Sequence, residues 1–191
     1  MAAAAHVLVP LKRLDVAKTR LAAVLSADER SALMLELLQG VLAAAKEADV
    51  GPITIVSSEP LAPNGVPRFD DSGLAWNDAL SAAMRAVVTE PIATVVSADL
   101  PRITAGDVHA LVAATPDRGM AIARALDGGT NAVSMRPAGA VMTHFGEPSS
   151  AAVHAFATAE VGLAARILDV PGLAFDVDTP DDLTELRGGA T

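Results

Sequence analysis

Ile92-Ala-Thr-Val-Val-Ser-Ala-Asp-Leu-Pro101 is a short apolar run that stops at an acid followed by a turn sequence. Such a run reads as a buried strand, and a carboxylate at its carboxyl end stands where open α/β sheets hold their ligands. A second stretch, Leu173-Ala-Phe-Asp-Val-Asp-Thr-Pro-Asp-Asp-Leu183, sets Asp176 and Asp178 two residues apart after another apolar run. In extended chain such residues point the same way, while Val177 between them turns to the core. Asp99, Asp176 and Asp178 are therefore expected to meet at one sheet edge. Left unneutralised they repel one another; a hard divalent cation removes that repulsion and suits oxygen ligands, and Mg²⁺ takes few protein carboxylates beside substrate phosphates. Solvated turn residues would be written with the same letters, and the spacing alone leaves both readings open.

Working outward, His6-Val-Leu-Val-Pro-Leu11 reads as a first strand, and Ser26-Ala-Asp-Glu29 is a capping box opening an amphipathic helix that runs to about Ala48. Residues 53–57 read as a strand, 66–69 as a short extended piece and 77–88 as a helix, so the order up to Asp99 is β-α-β-β-α-β. Thr104-Ala-Gly-Asp107 caps a further helix, and residues 120–124 and 131–135 flank the turn Asp127-Gly-Gly-Thr130, which predicts a hairpin. A helix over 150–161, a strand near 166–170 and a helix opened by Thr179-Pro-Asp-Asp182 complete the chain. Alternating strands and helices imply an α/β class three-layer α/β/α sandwich, and the late hairpin makes its mostly parallel sheet mixed. With no repeat or linker, residues 1–191 are expected to form a single domain.

Composition narrows the function. A net charge of −9 repels a nucleic-acid backbone, and four Phe, one Trp and no Tyr leave few platforms for stacking bases, so no nucleic-acid partner is expected. The absence of Cys excludes disulfides, thiolate metal sites and cysteine nucleophiles. The Ala-rich start from Met1 to Ala5 lacks a basic n-region, and no stretch of about 18 apolar residues is long enough for a bilayer, so no membrane association and a cytoplasmic location are expected.

Lys12, Arg13, Lys18 and Arg20 form the densest basic cluster, directly after the first strand and on the edge expected to hold the acids. Neither a Walker loop nor a dinucleotide-binding glycine pattern follows that strand. Side-chain cations would then replace a glycine-rich phosphate cradle, with a triphosphate lying between them and the metal. Asp127-Gly-Gly-Thr-Asn131 and His144-Phe-Gly-Glu-Pro-Ser-Ser150 offer hydroxyls and turn N–H groups suited to an anion. His6, His109, His144 and His154 have no metal-ligand spacing and are read as structural, and Trp76 is expected in the core.

These segments resemble the phosphoenolpyruvate or 2-phospho-L-lactate guanylyltransferases of deazaflavin coenzyme F-420 biosynthesis. The resemblance is carried by Val9-Pro-Leu-Lys-Arg-Leu-Asp-Val-Ala-Lys-Thr-Arg-Leu21, Ala98-Asp-Leu-Pro101, Gly129-Thr130, Phe145-Gly-Glu-Pro-Ser-Ser150 and Asp176-Val-Asp-Thr-Pro180. It implies a nucleotide-diphospho-sugar-transferase-like fold, GTP as co-substrate, Mg²⁺ as cofactor, and transfer of GMP to the phosphate of a three-carbon phospho-acid. It places the metal on Asp99, Asp176 and Asp178, with Lys18 joining them as the catalytic set, and the phospho-acid on Thr130, Gly146 and Ser149. Lys12, Lys18 and Arg20 would meet the nucleotide phosphates, and guanine would lie near Gly73 and Asn77, although Trp76 stands where the family more often has leucine. A nucleotidyltransferase for a sugar phosphate or molybdopterin, and a non-catalytic nucleotide-binding module, are the alternatives. A homo-oligomer and contact with the downstream pathway enzyme both stay open.

Overall fold

Seven strands, β1 (Ala5–Pro10), β2 (Ile53–Val56), β3 (Arg68–Phe69), β4 (Ile92–Val96), β5 (Gly119–Arg124), β6 (Thr130–Arg136) and β7 (Ala164–Leu168), build one sheet in a computed structural model that describes residues 4–188. The order across the sheet is β3-β2-β1-β4-β6-β5-β7, and only β6 runs against its neighbours. The predicted hairpin is β5–β6, and the mixed, mostly parallel sheet follows from it.

Alternation along the central strands divides the apolar side chains between two layers. Ala5, Val7 and Val9 of β1, Ile92 and Val96 of β4, and Ala121 and Ala123 of β5 join one core, which α1 (Ala27–Ala48) and α3 (Ala105–Ala113) cover. Leu8, Val95, Ile122 and Val133 face the other core, beneath α2 (Trp76–Val87) and α4 (Ser150–Glu160). Helix α1 buries Met34, Leu37, Leu38, Val41 and Leu42, the three-and-four spacing of an amphipathic helix. Both predicted capping boxes form, Ser26 with Glu29 and Thr104 with Asp107. The described residues include no helix long and apolar enough to cross a membrane. Residues 1–3, on which part of the reading of the Ala-rich start rests, lie outside those described.

Two boundaries differ from the sequence expectation. The last strand is Ala164–Leu168, two residues earlier than expected. More consequentially, the run before Asp176 is not a strand of the sheet: Pro171, with its preset φ and no N–H, opens the helical turn α5 (Pro171–Ala174). The chain then continues extended but unpaired over 175–178, held to the hairpin turn where Leu126 N–H donates to the Ala174 carbonyl at 3.0 Å. The alternation expected of extended chain survives, because Val177 is fully buried while Asp176 and Asp178 are only half-buried.

Candidate active site

β1 and β4 lie side by side although the chain leaves β1 toward β2 on one side and returns on the other. Their carboxyl ends therefore flank a topological switch point, where connecting loops part and leave a crevice. A cleft of about 540 Å³ opens there. The segment after β1 supplies Lys12, Lys18 and Arg20 to its lining, the turn after β4 supplies Asp99, and the extended segment before α6 (Pro180–Gly188) supplies Asp176 and Asp178. Because β6 is reversed, its first residues Thr130 and Asn131 arrive at the same edge.

The three carboxylates do converge: Asp99, Asp176 and Asp178 each offer an oxygen, all within 4.8 Å of one another. Three carboxylate oxygens this close together could hold one hard divalent cation such as Mg²⁺ between them. All the donors are hard oxygens, which fits such a cation. Thr179 and Asp182 fix the backbone that carries two of them. Asp182 accepts hydrogen bonds from the N–H groups of Asp178 at 3.0 Å and Thr179 at 2.6 Å, in the capping box that starts α6. Asn131 donates from Nδ2 to Asp176 at 3.3 Å.

Lys18 lies among the acids. Its ammonium contacts Asp99 and donates to Asp178 at 2.8 Å, with the side chain only 5% exposed. Burial pulls its pKa down, but the charges and hydrogen bonds of Asp99 and Asp178 outweigh that and hold it above the ordinary lysine value. Its backbone is left-handed at φ 51°, a costly conformation outside glycine, held between two short 3-10 turns at Leu14–Val16 and Thr19–Leu21. Arg20 reaches Asp178 at 3.7 Å from a largely exposed position. Burial first, then the charges of Asp99 and Asp178, raise the pKa of Asp176 to about 6.

Across the cleft stand Thr130, Gly146 and Ser149. The loop bearing the last two is clamped just before them, over residues 143–145. Asn77 accepts from Thr143 Oγ1 at 2.9 Å and Phe145 N–H at 3.0 Å and donates to the Phe145 carbonyl at 3.2 Å. His154, buried on α4, accepts from His144 N–H at 2.8 Å. Directly after the clamped residues, Gly146 takes φ 81°, which only glycine adopts freely. Ser149 occupies the N-cap position of α4 in a left-handed conformation, and its side chain makes no capping bond.

Nine of the eleven residues expected at the site line this one cleft. Gly73 and Asn77 do not, and the amide of Asn77 is committed to the loop. Trp76, expected in the core, packs half-buried against its edge and also lines the cleft, with Lys12 Nζ 5.1 Å from its ring centre. It opens α2, so its ring stands at the helix end nearest the sheet edge. Asn131, Asp182 and His154 were not singled out by the sequence. Asn131 is the one with a legible signal, a polar residue opening a strand that is otherwise mostly apolar and wholly buried up to Met135.

Comparison with known proteins accords with this arrangement. The chain is 44% identical over 191 residues to a phosphoenolpyruvate guanylyltransferase of Sphaerobacter thermophilus, covering 95% of this chain and 92% of that one. It is 37% identical over 169 residues to a 2-phospho-L-lactate guanylyltransferase of Natronomonas pharaonis, covering 88% and 78%. A putative nucleotide-diphospho-sugar transferase from Desulfovibrio desulfuricans G20 shares the fold, with a TM-score of 0.80 at 19% identity over 99% of this chain and 89% of that one. A family model described as "Guanylyl transferase CofC like" matches residues 5–188, and with the whole sheet and both walls of the cleft inside that match the chain belongs to the CofC-like guanylyl transferase family.

Proposed function

We propose that this chain transfers GMP from GTP to the phosphate of a three-carbon phospho-acid, phosphoenolpyruvate before 2-phospho-L-lactate, on the route to coenzyme F-420. The convergence of Asp99, Asp176 and Asp178, with the Lys18 ammonium against Asp99 and Asp178, in a cleft also lined by Thr130, Gly146 and Ser149, carries this reading. A phosphate oxygen of the phospho-acid attacks the α-phosphorus of GTP in line. The new P–O bond forms as the bond to the bridging α–β oxygen breaks, and diphosphate leaves with the electron pair. A phosphate monoester is already largely dianionic near neutral pH, so the nucleophile needs no side-chain base, which suits a cleft whose lining contains no histidine.

The barrier is the meeting of two polyanions, and catalysis consists of positioning and charge neutralisation. Mg²⁺ held by Asp99, Asp176 and Asp178 would neutralise phosphate oxygens and fix their orientation. Lys18 lies close enough to those carboxylates to reach a phosphate bound beside them, while Lys12 and Arg20 neutralise the departing diphosphate from the mouth. Thr130, Ser149 and the Gly146 backbone hold the phospho-acid on the far wall. The 44% identity to a phosphoenolpyruvate enzyme favours that substrate over the lactate analogue.

Purified protein incubated with GTP, Mg²⁺ and each of phosphoenolpyruvate, 2-phospholactate, 3-phosphoglycerate and a sugar phosphate, followed by diphosphate release and product mass, tests the reading. Diphosphate should appear only with a three-carbon phospho-acid, and fastest with phosphoenolpyruvate. Release with the sugar phosphate alone, or with no second substrate, overturns it.

A further inference from the structure

The hydroxyl of Thr130 lies at the end of a buried chain of hydrogen bonds in which each direction is determined. The backbone N–H of His144 can only donate, and it points at Nε2 of His154 from 2.8 Å. That nitrogen is therefore unprotonated, and in the neutral ring the hydrogen belongs to Nδ1. Nδ1 in turn faces the Ser150 carbonyl at 2.8 Å and Thr130 Oγ1 at 3.1 Å. Ser150 Oγ also donates to Thr130 Oγ1, at 3.0 Å. The single Nδ1 hydrogen is shared between the Ser150 carbonyl and Thr130 Oγ1, and neither that protonated nitrogen nor the donating Ser150 hydroxyl can accept from Thr130. The hydrogen of Thr130 is left to point forward into the cleft that the residue lines.

We infer that His154 is a positioning residue that sets Thr130 as a one-way hydrogen-bond donor to an anionic oxygen of the bound phospho-acid. This rests on the proposed function and adds to it the residue that fixes the polarity of the phospho-acid wall. Ring neutrality follows from the surroundings. His154 is fully buried, and burial holds its pKa down at about 4 against the smaller raising effect of the Ser150 carbonyl. A wall wired in this direction favours oxygens that only accept, such as carboxylate and phosphate, and disfavours a ligand group that brings its own N–H or O–H. His154 also holds His144, so the same ring sets the loop that carries Gly146 and Ser149.

The test is a double-mutant cycle with steady-state kinetics on the whole protein. With GTP saturating, His154→Leu and Thr130→Val should each raise the KM for phosphoenolpyruvate about ten- to a hundred-fold, the worth of one hydrogen bond to a charged group. The turnover number and the KM for GTP should stay within about threefold, the scale on which uniform binding is separated from transition-state effects. The double variant should be little worse than His154→Leu alone, because that change already removes the directed donor together with the ring's hold on the loop. His154→Asn, whose amide N–H stands near the place of Nδ1, should recover part of the loss. Multiplicative effects, an unchanged KM for phosphoenolpyruvate, or a parallel loss of GTP binding would overturn the inference. If His154→Leu does not fold, ¹⁵N chemical shifts of the wild-type ring decide the same point: a hydrogen on Nδ1 is expected, and one on Nε2 refutes the wiring. A wild-type enzyme that transfers GMP to no phospho-acid would sink the functional reading itself, whatever the variants do.

Discussion

Acidification should destabilise the fold through His154 by an amount that can be worked out. Unfolded histidine titrates near pH 6.5, whereas burial holds this ring at about 4. Between those values the unfolded chain binds a proton that the folded protein refuses, so stability falls as pH drops below 6.5, and the loss is complete once pH passes below about 4. A difference of about 2.5 pH units corresponds to about 3 kcal/mol in all, of which about 2 kcal/mol is lost between pH 7 and pH 5. Asp176 works in the opposite sense. Its folded value near 6 means that the native state takes up a proton first, which stabilises it at low pH and is lost as pH rises through 6. The two can nearly cancel in the wild-type curve, so the informative quantity is a difference. Urea unfolding of wild type and His154→Asn, with chelator present and at several pH values from 7 to 4.5, should show the gap between them shrinking by about 2 kcal/mol as pH falls to 5. A gap independent of pH would refute the claim that the ring is buried in its neutral form.

Other outcomes follow from the cleft. Asp99→Asn and Asp178→Asn keep shape but lose charge, and each should lower turnover by at least about a hundred-fold and weaken Mn²⁺ binding measured by electron paramagnetic resonance, with the far-ultraviolet spectrum unchanged. Trp76 is the sole tryptophan and lines the cleft, so GTP should change the intrinsic fluorescence saturably; a signal indifferent to nucleotide would place the base elsewhere. Asn77→Leu strips the Thr143–Phe145 loop of its partners and should cost about 1–3 kcal/mol in thermal or urea unfolding, with little change in GTP affinity. The reverse pattern would return Asn77 to guanine recognition.

Those features of the sequence that obey local rules were readable directly. Capping boxes at Ser26 and Thr104, the hairpin around Asp127-Gly-Gly-Thr130, and the acids beyond apolar runs each depend on a few neighbouring residues. Features decided by tertiary contact were not. Asp176 was expected after a sheet strand, yet Pro171 turns the chain into a short helix and the acids arrive on an unpaired segment; what carried through was the two-residue spacing around buried Val177. Asn77 looks like a ligand contact until the loop at 143–145 closes over its amide, some 66 residues away in sequence. His154 shows no motif, because its significance lies in the direction of hydrogen bonds between α4, the start of β6 and the loop. Lys18 was placed among the phosphate contacts by resemblance, but its entry into the acid cluster depends on a left-handed backbone that no spacing rule announces.

The single reversed strand has an evolutionary corollary. An antiparallel insertion brings the beginning of β6 to the edge where parallel neighbours bring their ends, so the two ends of one stretch, residues 129–131 and 145–150, both reach the lining of the crevice. The rest of the lining comes from residues before 100, from Ala125 and Asp127, and from residues after 175. On the proposed assignment, changes within that stretch would retune which small molecule receives the nucleotide, while most residues proposed to meet the triphosphate are encoded elsewhere. Grafting it between relatives with different preferences would transplant the preference in one piece.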